Sequence, residues 1–339
     1  MAQRMSLSAP VAERTPASTR RAWLQGVGTT LAVASTGWGS AAWAQNAAQP
    51  SLVLGDQAGG LKALFEAAGT LDGAPFAWRW ANFQGAAPLF EAHRSGAVDT
   101  AMAGDLPVLA AAVGKTPLKI VATRVGQPDS LGIVVQGNSP LRSVADLRGK
   151  TVIVSSARGS ISQYQLYGAL EEAGVKREEV TVKFVLPTDA AAAFASKQID
   201  AWAIFDPYYT IALQQGGRIL RDGRGINTAL GFITATDAAL ADPAKRAAIV
   251  QYLHRLARAG EWALANREAY AQVYAQLTRL PIEAARTITA RAAIASRPVT
   301  QADITALQTV ADRSARDGIL PARVDVAAIT DTQVWRAGA

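Results

Sequence analysis

The 339-residue chain contains no cysteine. That excludes thiol nucleophiles, disulfides and thiolate metal sites. Histidine is nearly as scarce: His93 and His254 are the only two, far apart, each on an expected helix. No H-E-x-x-H pattern or carboxylate cluster accompanies them, so both read as surface or half-buried helix residues and no metal or other cofactor is expected. Nucleotide marks are missing too, with no G-x-G-x-x-G after a strand and no G-x-x-x-x-G-K-[ST]. Ser160 has no G-x-S-x-G elbow around it. Basic residues outnumber acidic ones by 34 to 27, yet no basic stripe is interleaved with aromatics, and nucleic acid is not an expected partner. After residue 44 no apolar run approaches the ~20 residues of a membrane span.

What is present begins with an address. Residues 19–25, TRRAWLQ, carry Arg20 and Arg21 ahead of an apolar pair; a weakly apolar run follows over 26–34, and Ala42, Trp43 and Ala44 form a small-residue cleavage site. This is the layout of a twin-arginine export signal over 1–44, which predicts a periplasmic product. The signal holds four arginines and one glutamate, so the remainder carries 30 basic and 26 acidic side chains, a net +4 against +7 for the whole. About 295 residues then remain, more than a usual single domain, which predicts two lobes or one large α/β unit.

The chain is organised around residues 151–174. Residues 151–155, TVIVS, read as a buried strand that breaks into a small polar turn, Ser156 to Ser160. A helix follows, with Ser162, Leu166, Leu170 and Ala173 on one face and Gly174 as its stop. The first helical N–H groups have no intrahelical partners, and with Arg158 nearby they offer a seat for an anion. The alternative is that Ser160 simply caps its helix.

The same pattern recurs along the chain. A strand over 51–55 leads into Asp56, Gln57 and a helix over 62–68; a strand over 76–83 ends in QGAA, with Pro88 where a first helical residue belongs. Strands are expected over 118–123, 131–136, 180–186, 199–205 and 229–236, with Gly137 to Pro140 as a lobe crossing and a helix over 190–197. Val98-Asp99 matches Ile199-Asp200, and Asp105 matches Asp206, at a constant offset of 101, which suggests two similar lobes. From Pro243 onward the pattern is helical, with segments at 269–277, 282–290 and 301–316.

Asp105 and Asp206 admit acid/base work but also read as N-cap or turn aspartates. Binding is the reading left, and arithmetic requires both lobes. Micromolar affinity needs about 8 kcal/mol, whereas one charge-assisted hydrogen bond gives about 1.5–3 and one helix end about 0.3–1. Ligands of open α/β sheets sit outside the carboxyl ends of the strands.

Several stretches together resemble the aliphatic-sulfonate-binding proteins, within the nitrate/sulfonate/taurine/bicarbonate group of ABC-transporter substrate-binding proteins. They are SVADLRGK at 143–150, RGS at 158–160, LPTDA at 186–190, DAWAIFDPY at 200–208, Gly104-Asp105, and GILP and VDV at 318–321 and 324–326. The resemblance implies an α/β fold of the periplasmic binding protein type II class: two α/β lobes, a central ligand cleft and a helical C-terminal part. Lobe 1 would comprise 51–136 plus 230–339 and lobe 2 138–229. By position, Gln57, Gly85, Ala86, Gly104 and Asp105 would face the cleft from lobe 1, and Arg158, Gly159, Ser160, Thr188, Asp206 and Tyr208 from lobe 2. The implied partners are a small anionic, sulfonate-like ligand and an ABC permease of the inner membrane, with the receptor itself a monomer and not an enzyme. Nitrate, bicarbonate, taurine or an aromatic acid are alternative ligands, and an enzyme of the pyrimidine-synthase branch is the alternative class; those relatives use a cysteine-rich segment that this chain lacks. Many sulfonate binders carry a histidine shortly after the Gly-Ser pair, where Gln163 stands here, a side chain that donates hydrogen bonds but never becomes cationic.

Overall fold

The computed structural model describes residues 49–292 and 294–336; the twin-arginine segment, 1–44, lies outside them. The chain first lays down β1 (Ser51–Gln57), α1 (Gly60–Ala68), β2 (Ala77–Phe83), α2 (Ala86–Arg94), β3 (Thr100–Gly104), α3 (Asp105–Val113) and β4 (Leu118–Val125). It continues through β5 (Leu131–Gln136), β6 (Thr151–Val154), α4 (Ile161–Glu172), β7 (Thr181–Phe184), α5 (Pro187–Ala195), β8 (Ala201–Phe205), α6 (Tyr208–Gln214) and β9 (Gly217–Asp222). Last come β10 (Leu230–Thr236), α7 (Asp237–Ala241), α8 (Pro243–Ala265), α9 (Arg267–Thr278), α10 (Ile282–Arg291), β11 (Ala295–Arg297), α11 (Gln301–Arg316) and α12 (Gln333–Arg336).

These strands form two sheets, ordered β11-β4-β10-β3-β1-β2 and β7-β6-β8-β5-β9. The second repeats five strands of the first: β2-β1-β3-β10-β4 corresponds to β7-β6-β8-β5-β9, with β10 and β5 as the antiparallel members. β3 and β8 occupy equivalent places, so the 101-residue offset is a repeat of architecture. The antiparallel strand of each sheet is reached by a crossover from the other sheet, at 126–130 and at 223–229. The two crossing segments are tied to each other, because Gly126 N–H donates to the Ala229 carbonyl at 2.9 Å and Arg224 pairs with Asp129 at 2.6 Å.

This moves one expected boundary. Residues 131–136 belong with the second sheet, where they pair with β8 and β9, and the chain changes sheets before them rather than at Gly137 to Pro140. An apolar strand carries no mark of which sheet its ladder will join. Two strands escape a reading based on apolar runs. β9 (GRILRD) is an edge strand whose Arg218 turns back to the Leu141 carbonyl, and β11 is only three residues long. Pro88 is the third residue of α2, not the first; its ring is tolerated there because that N–H has no helical partner to lose. α5 likewise starts earlier than expected, at Pro187.

Helices cover both faces of the six-stranded sheet. α2, α3 and α11 pack on one, around Leu89, Phe90, Leu106, Ala103 and Leu307; α1, α8, α9 and α10 pack on the other, around Leu54, Leu64, Tyr252, Leu253 and Ile288. α4 is buried on nearly every side, not on one face, because it lies between its own sheet and α3 of the other lobe. Asp303 anchors α11, accepting from Thr123 on β4 and from Arg297 on β11. Among the described residues no helix is long and apolar enough to cross a membrane.

Gly260, mid-α8, allows the close approach of the chain before β11, since a Cβ there would lie 2.4 Å from the Ile294 carbonyl oxygen. Gly260→Ala would gain about 1 kcal/mol of helix propensity but forces backbone apart at a cost of about 1–3 kcal/mol or more. A net loss of stability is expected in urea denaturation, and a stabilised variant would show that this contact yields.

Candidate functional site

The C-terminal ends of the parallel strands from both sheets border a cavity of about 240 Å³. The first lobe contributes Gln57, Ala86, Met102, Gly104 and Arg124; the second contributes Ser156, Ser160, Ile161, Phe205 and Asp206; α9 and α10 add Tyr270, Tyr274 and Arg291. Small residues bring the lobes together at its edge. A Cβ on Gly85 would meet Ser156 Oγ at 3.1 Å, one on Gly104 would meet Ile161 at 2.8 Å, and one on Gly159 would meet Ala110 at 2.6 Å.

Two helix N-termini reach this cavity from opposite lobes. α2 starts after Gly85 with no side-chain cap, so the Ala86 and Ala87 N–H groups keep their donor capacity. At α4, Ser160 Oγ accepts from Gln163 N–H at 3.3 Å, and the Gln163 amide oxygen turns back to accept from Gly159 N–H at 2.7 Å. The capping role of Ser160 is therefore real, and two N–H groups of the turn are already occupied, that of Gly159 by Gln163 and that of Ser160 by the Ala157 carbonyl at 3.1 Å. Ile161 and Ser162 N–H remain free.

The charges divide into paired and unpaired. Arg291 lies 3.0 Å from Asp206 and reaches Thr210 Oγ1 at 2.5 Å, with its guanidinium over the Tyr209 ring at 5.1 Å, which ties α10 to the second lobe. Burial pushes the Asp206 carboxyl up to about 6, against the pull of Arg291 and Thr210. Asp56 is fully buried and accepts from the N–H groups of Gln57, Leu61 and Lys62; burial still lifts it to about 6. Arg124 differs. It is 4% exposed, the only buried lysine or arginine among the described residues, and its side chain has no hydrogen-bond or salt-bridge partner among them. Burial lowers its pKa; the Asp56 carboxylate faces it electrostatically, and the buried phenols of Tyr270 and Tyr252, both neutral near pH 7, stand beside it.

Of the residues expected at the cleft, Gln57, Ala86, Gly104, Ser160 and Asp206 line this cavity. Gln57 spends its amide on the Met102 carbonyl, at 2.5 Å. The other six stand elsewhere. Gly85 is a lobe contact behind the lining. Asp105 is buried at the start of α3 and accepts from Thr228 Oγ1 and Leu106 N–H, both at 2.7 Å, so its carboxylate is consumed within the fold. Arg158 and Gly159 line an adjoining hollow of about 150 Å³. Thr188 is exposed and donates to Gln84 Oε1 at 2.8 Å, a bond between lobes at the lip. Tyr208 stacks edge-on behind Phe205, 6.5 Å between centroids. His93, expected near the surface, is fully buried on the inner side of α2, where desolvation lowers its pKa to about 4 and keeps it neutral.

Arg124, Tyr270, Tyr274 and Arg291 were not legible as site residues. Arg124 had a signal: it directly follows the apolar stretch 118–123, where a charge inside a buried strand needs a reason. The tyrosines and Arg291 had none, because helices distant in sequence deliver them.

Removing an unpaired buried charge relieves its desolvation cost. Arg124→Met is expected to raise the ligand-free stability by about 1 kcal/mol or more, read by thermal denaturation, whereas a loss would reveal a compensating partner. A second expectation concerns pH. Between 3.8, the ordinary carboxyl value, and about 6 the folded protein holds more protons on Asp206 and Asp56 than the unfolded chain does. Stability should therefore fall as pH rises through that window. In Asp206→Asn, denaturation at a series of pH values should show a shallower slope, with the Asp56 share left; an unaltered slope would assign the dependence to other groups.

The NMT1/THI5-like family profile matches residues 85–243. A protein of Escherichia coli named for aliphatic-sulfonate binding is 34% identical over 251 residues, covering 73% of this chain and 77% of that one. A solved structure of the alkanesulfonate-binding protein SsuA from Xanthomonas axonopodis pv. citri, bound to MOPS, superposes with a TM-score of 0.77 at 30% identity, over 84% of this chain and 99% of that one. The periplasmic aliphatic sulphonate-binding protein SsuA of Escherichia coli gives 0.70 at 30% identity, over 82% and 91%. With its paired sheets, crossed antiparallel strands and interlobe cavity, the chain belongs to the family of aliphatic sulfonate-binding proteins.

Proposed function

We propose that the protein is the exported substrate-binding component of an ABC importer, capturing a small organic anion, an aliphatic sulfonate, between its lobes and delivering it to an inner-membrane permease. The observation that carries this reading is the meeting, on one cavity, of two uncapped or partly free helix N-termini from opposite lobes with an unpaired buried guanidinium. Each source is too weak alone, at about 0.3–1 kcal/mol for a helix end and about 1.5–3 for a charge-assisted bond. Two helix ends and one such bond sum to about 2–5 kcal/mol, and burial of the guest's apolar part has to supply the rest of the ~8 kcal/mol of micromolar affinity. The twin arginines at 20 and 21 support export to the periplasm.

Cavity size bears on the alternative ligands. A cavity of about 240 Å³ exceeds what one small ion such as nitrate or bicarbonate fills, and either would leave part of it to water. Binding without chemistry is the reading for the site itself. The chain has no cysteine, neither histidine lines the cavity, and the one lining carboxylate, Asp206, is engaged by Arg291 and Thr210.

A thermal-shift panel of alkanesulfonates, taurine, aromatic sulfonates, nitrate and bicarbonate tests this function. A sulfonate at 100 times its dissociation constant should stabilise the fold by about 2.7 kcal/mol. A protein indifferent to every sulfonate would overturn the proposal.

A further inference from the structure

α9 presents two tyrosines to the cavity, one helical turn apart. Tyr270 and Tyr274 are each 3% exposed, and their rings meet edge-on at 6.4 Å between centroids. Neither hydroxyl has a hydrogen-bond partner among the described residues, and neither is sealed within the core as the hydroxyl of Tyr252 is. A buried phenol ordinarily finds a partner for its O–H. One that opens onto a ligand cavity without a partner is a donor held for a guest.

The surroundings of the two hydroxyls differ. Tyr274 stands among Tyr270, Asp206, Asp56 and Tyr208, with no cation beside it. Tyr270 stands beside the guanidinium of Arg124, with Asp56 as its other charged neighbour. The ring of Tyr270 also borders an outer hollow of about 150 Å³ that carries Arg267, Glu268 and Arg286. None of those three charges neighbours its hydroxyl, which therefore points inward, toward Arg124. Arg124 is open in its turn: its Nε is sealed without a partner, but its two terminal nitrogens are not sealed. Burial pushes the Tyr270 hydroxyl up to about 12, so it stays a neutral donor near pH 7.

We infer that Tyr270 is a ligand-binding residue, its O–H donating to an oxygen of the anionic head that Arg124 also holds. This rests on the reading of the site as a sulfonate receptor and deepens it. A sulfonate head accepts hydrogen bonds at three oxygens and donates none, so a guanidinium and a phenol side by side can each engage it. A hydrogen bond to a charged group is worth more than one between neutral groups. The hydroxyl therefore contributes most when the guest is an anion, and the ring packs against its neighbours whether the hydroxyl is there or not.

Calorimetry on the full mature protein, with hexanesulfonate and benzenesulfonate as probes, tests the assignment. Tyr270→Phe keeps the ring and removes only the hydroxyl. It should weaken both probes about tenfold or more, the loss of one hydrogen bond to a charged group. Its ligand-free melting temperature should not fall, because that hydroxyl holds no partner in the empty protein. Tyr252→Phe is the control: Tyr252 also stands beside Arg124 but does not border the cavity, and its loss of a hydroxyl should leave both affinities at the wild-type value. Unchanged affinity in Tyr270→Phe would overturn the inference, making that ring a wall and nothing more. Equal weakening in the two variants would overturn it as well, since both phenols would then act through the field at Arg124. Either result leaves the sulfonate reading standing, whereas failure of every sulfonate to bind the wild-type protein would end the parent reading and this one with it.

Discussion

Two sheets can close on a small guest only if nothing bulky stands where they meet, and in this chain that constraint falls on three glycines. Gly104 and Gly159 face Ile161 and Ala110 across the interlobe contact at distances where a methyl group would collide, and Gly85 faces Ser156 where it would be tight. Gly159 also has a φ of 75°, which side chains rarely adopt. The glycines do little to contact a ligand themselves. They set how near the N-termini of α2 and α4 approach each other, and so whether main-chain donors from different lobes can share one anion. The Gln84–Thr188 bond at the lip and the Arg291–Asp206 pair bridge the same gap.

The electrostatics follow from that closure. Among the described residues every buried acid has found partners within the fold: Asp56 at the start of α1, Asp99 with Lys245, Asp105 at the start of α3, and Asp303 with Thr300 and Arg297. The one buried base among them, Arg124, has no hydrogen-bond partner. A cation without a partner in a half-enclosed cavity carries a desolvation cost that the fold tolerates, and a bound anion removes that cost at the same time as it forms its bond. Affinity at such a site comes partly from relief of the ligand-free state, which is a form of preorganisation. The same logic explains why Gln163 suits the cradle. Its amide satisfies Gly159 N–H without adding charge, so the positive end of the cavity is concentrated at Arg124 and the free helix N–H groups.

Much of the fold was legible because the elements are locally consistent. β5 spans the residues that its apolar run marks, α11 is capped by Thr300 through a capping box and runs from Gln301 to Arg316, and the 101-residue echo between β3 and β8 reports two equivalent lobes. What the local pattern could not carry was ladder membership. β5 belongs to the sheet of β8 although the residues before it belong to the other, because an antiparallel strand is recruited by its partners and not by its own composition. The lining of the cavity was legible where strands end in small residues, as at Ala86, Gly104 and Ser160. It departs from the expected set where a polar residue at a strand end serves its own helix, as Asp105 does, or the lip, as Thr188 does. Tyr270, Tyr274 and Arg291 come from the helical C-terminal part, whose polar outer faces gave no hint that its inner side completes the cleft.

That contribution makes the crossovers more than connections. β10 enters the first sheet only after the chain has built the second, and α8 to α10 follow it, so the last third of the chain is placed by a strand that itself depends on the crossing at 223–229. Arg291 then reaches back to Asp206 in the second lobe, while its own carbonyl accepts from Gln127 N–H in the other crossing segment, at 3.1 Å. One residue thus contacts both a lobe and the link between lobes. The angle between the sheets is therefore held partly by α10: widening it would have to lengthen the Arg291–Asp206 pair or the Gln127–Arg291 bond.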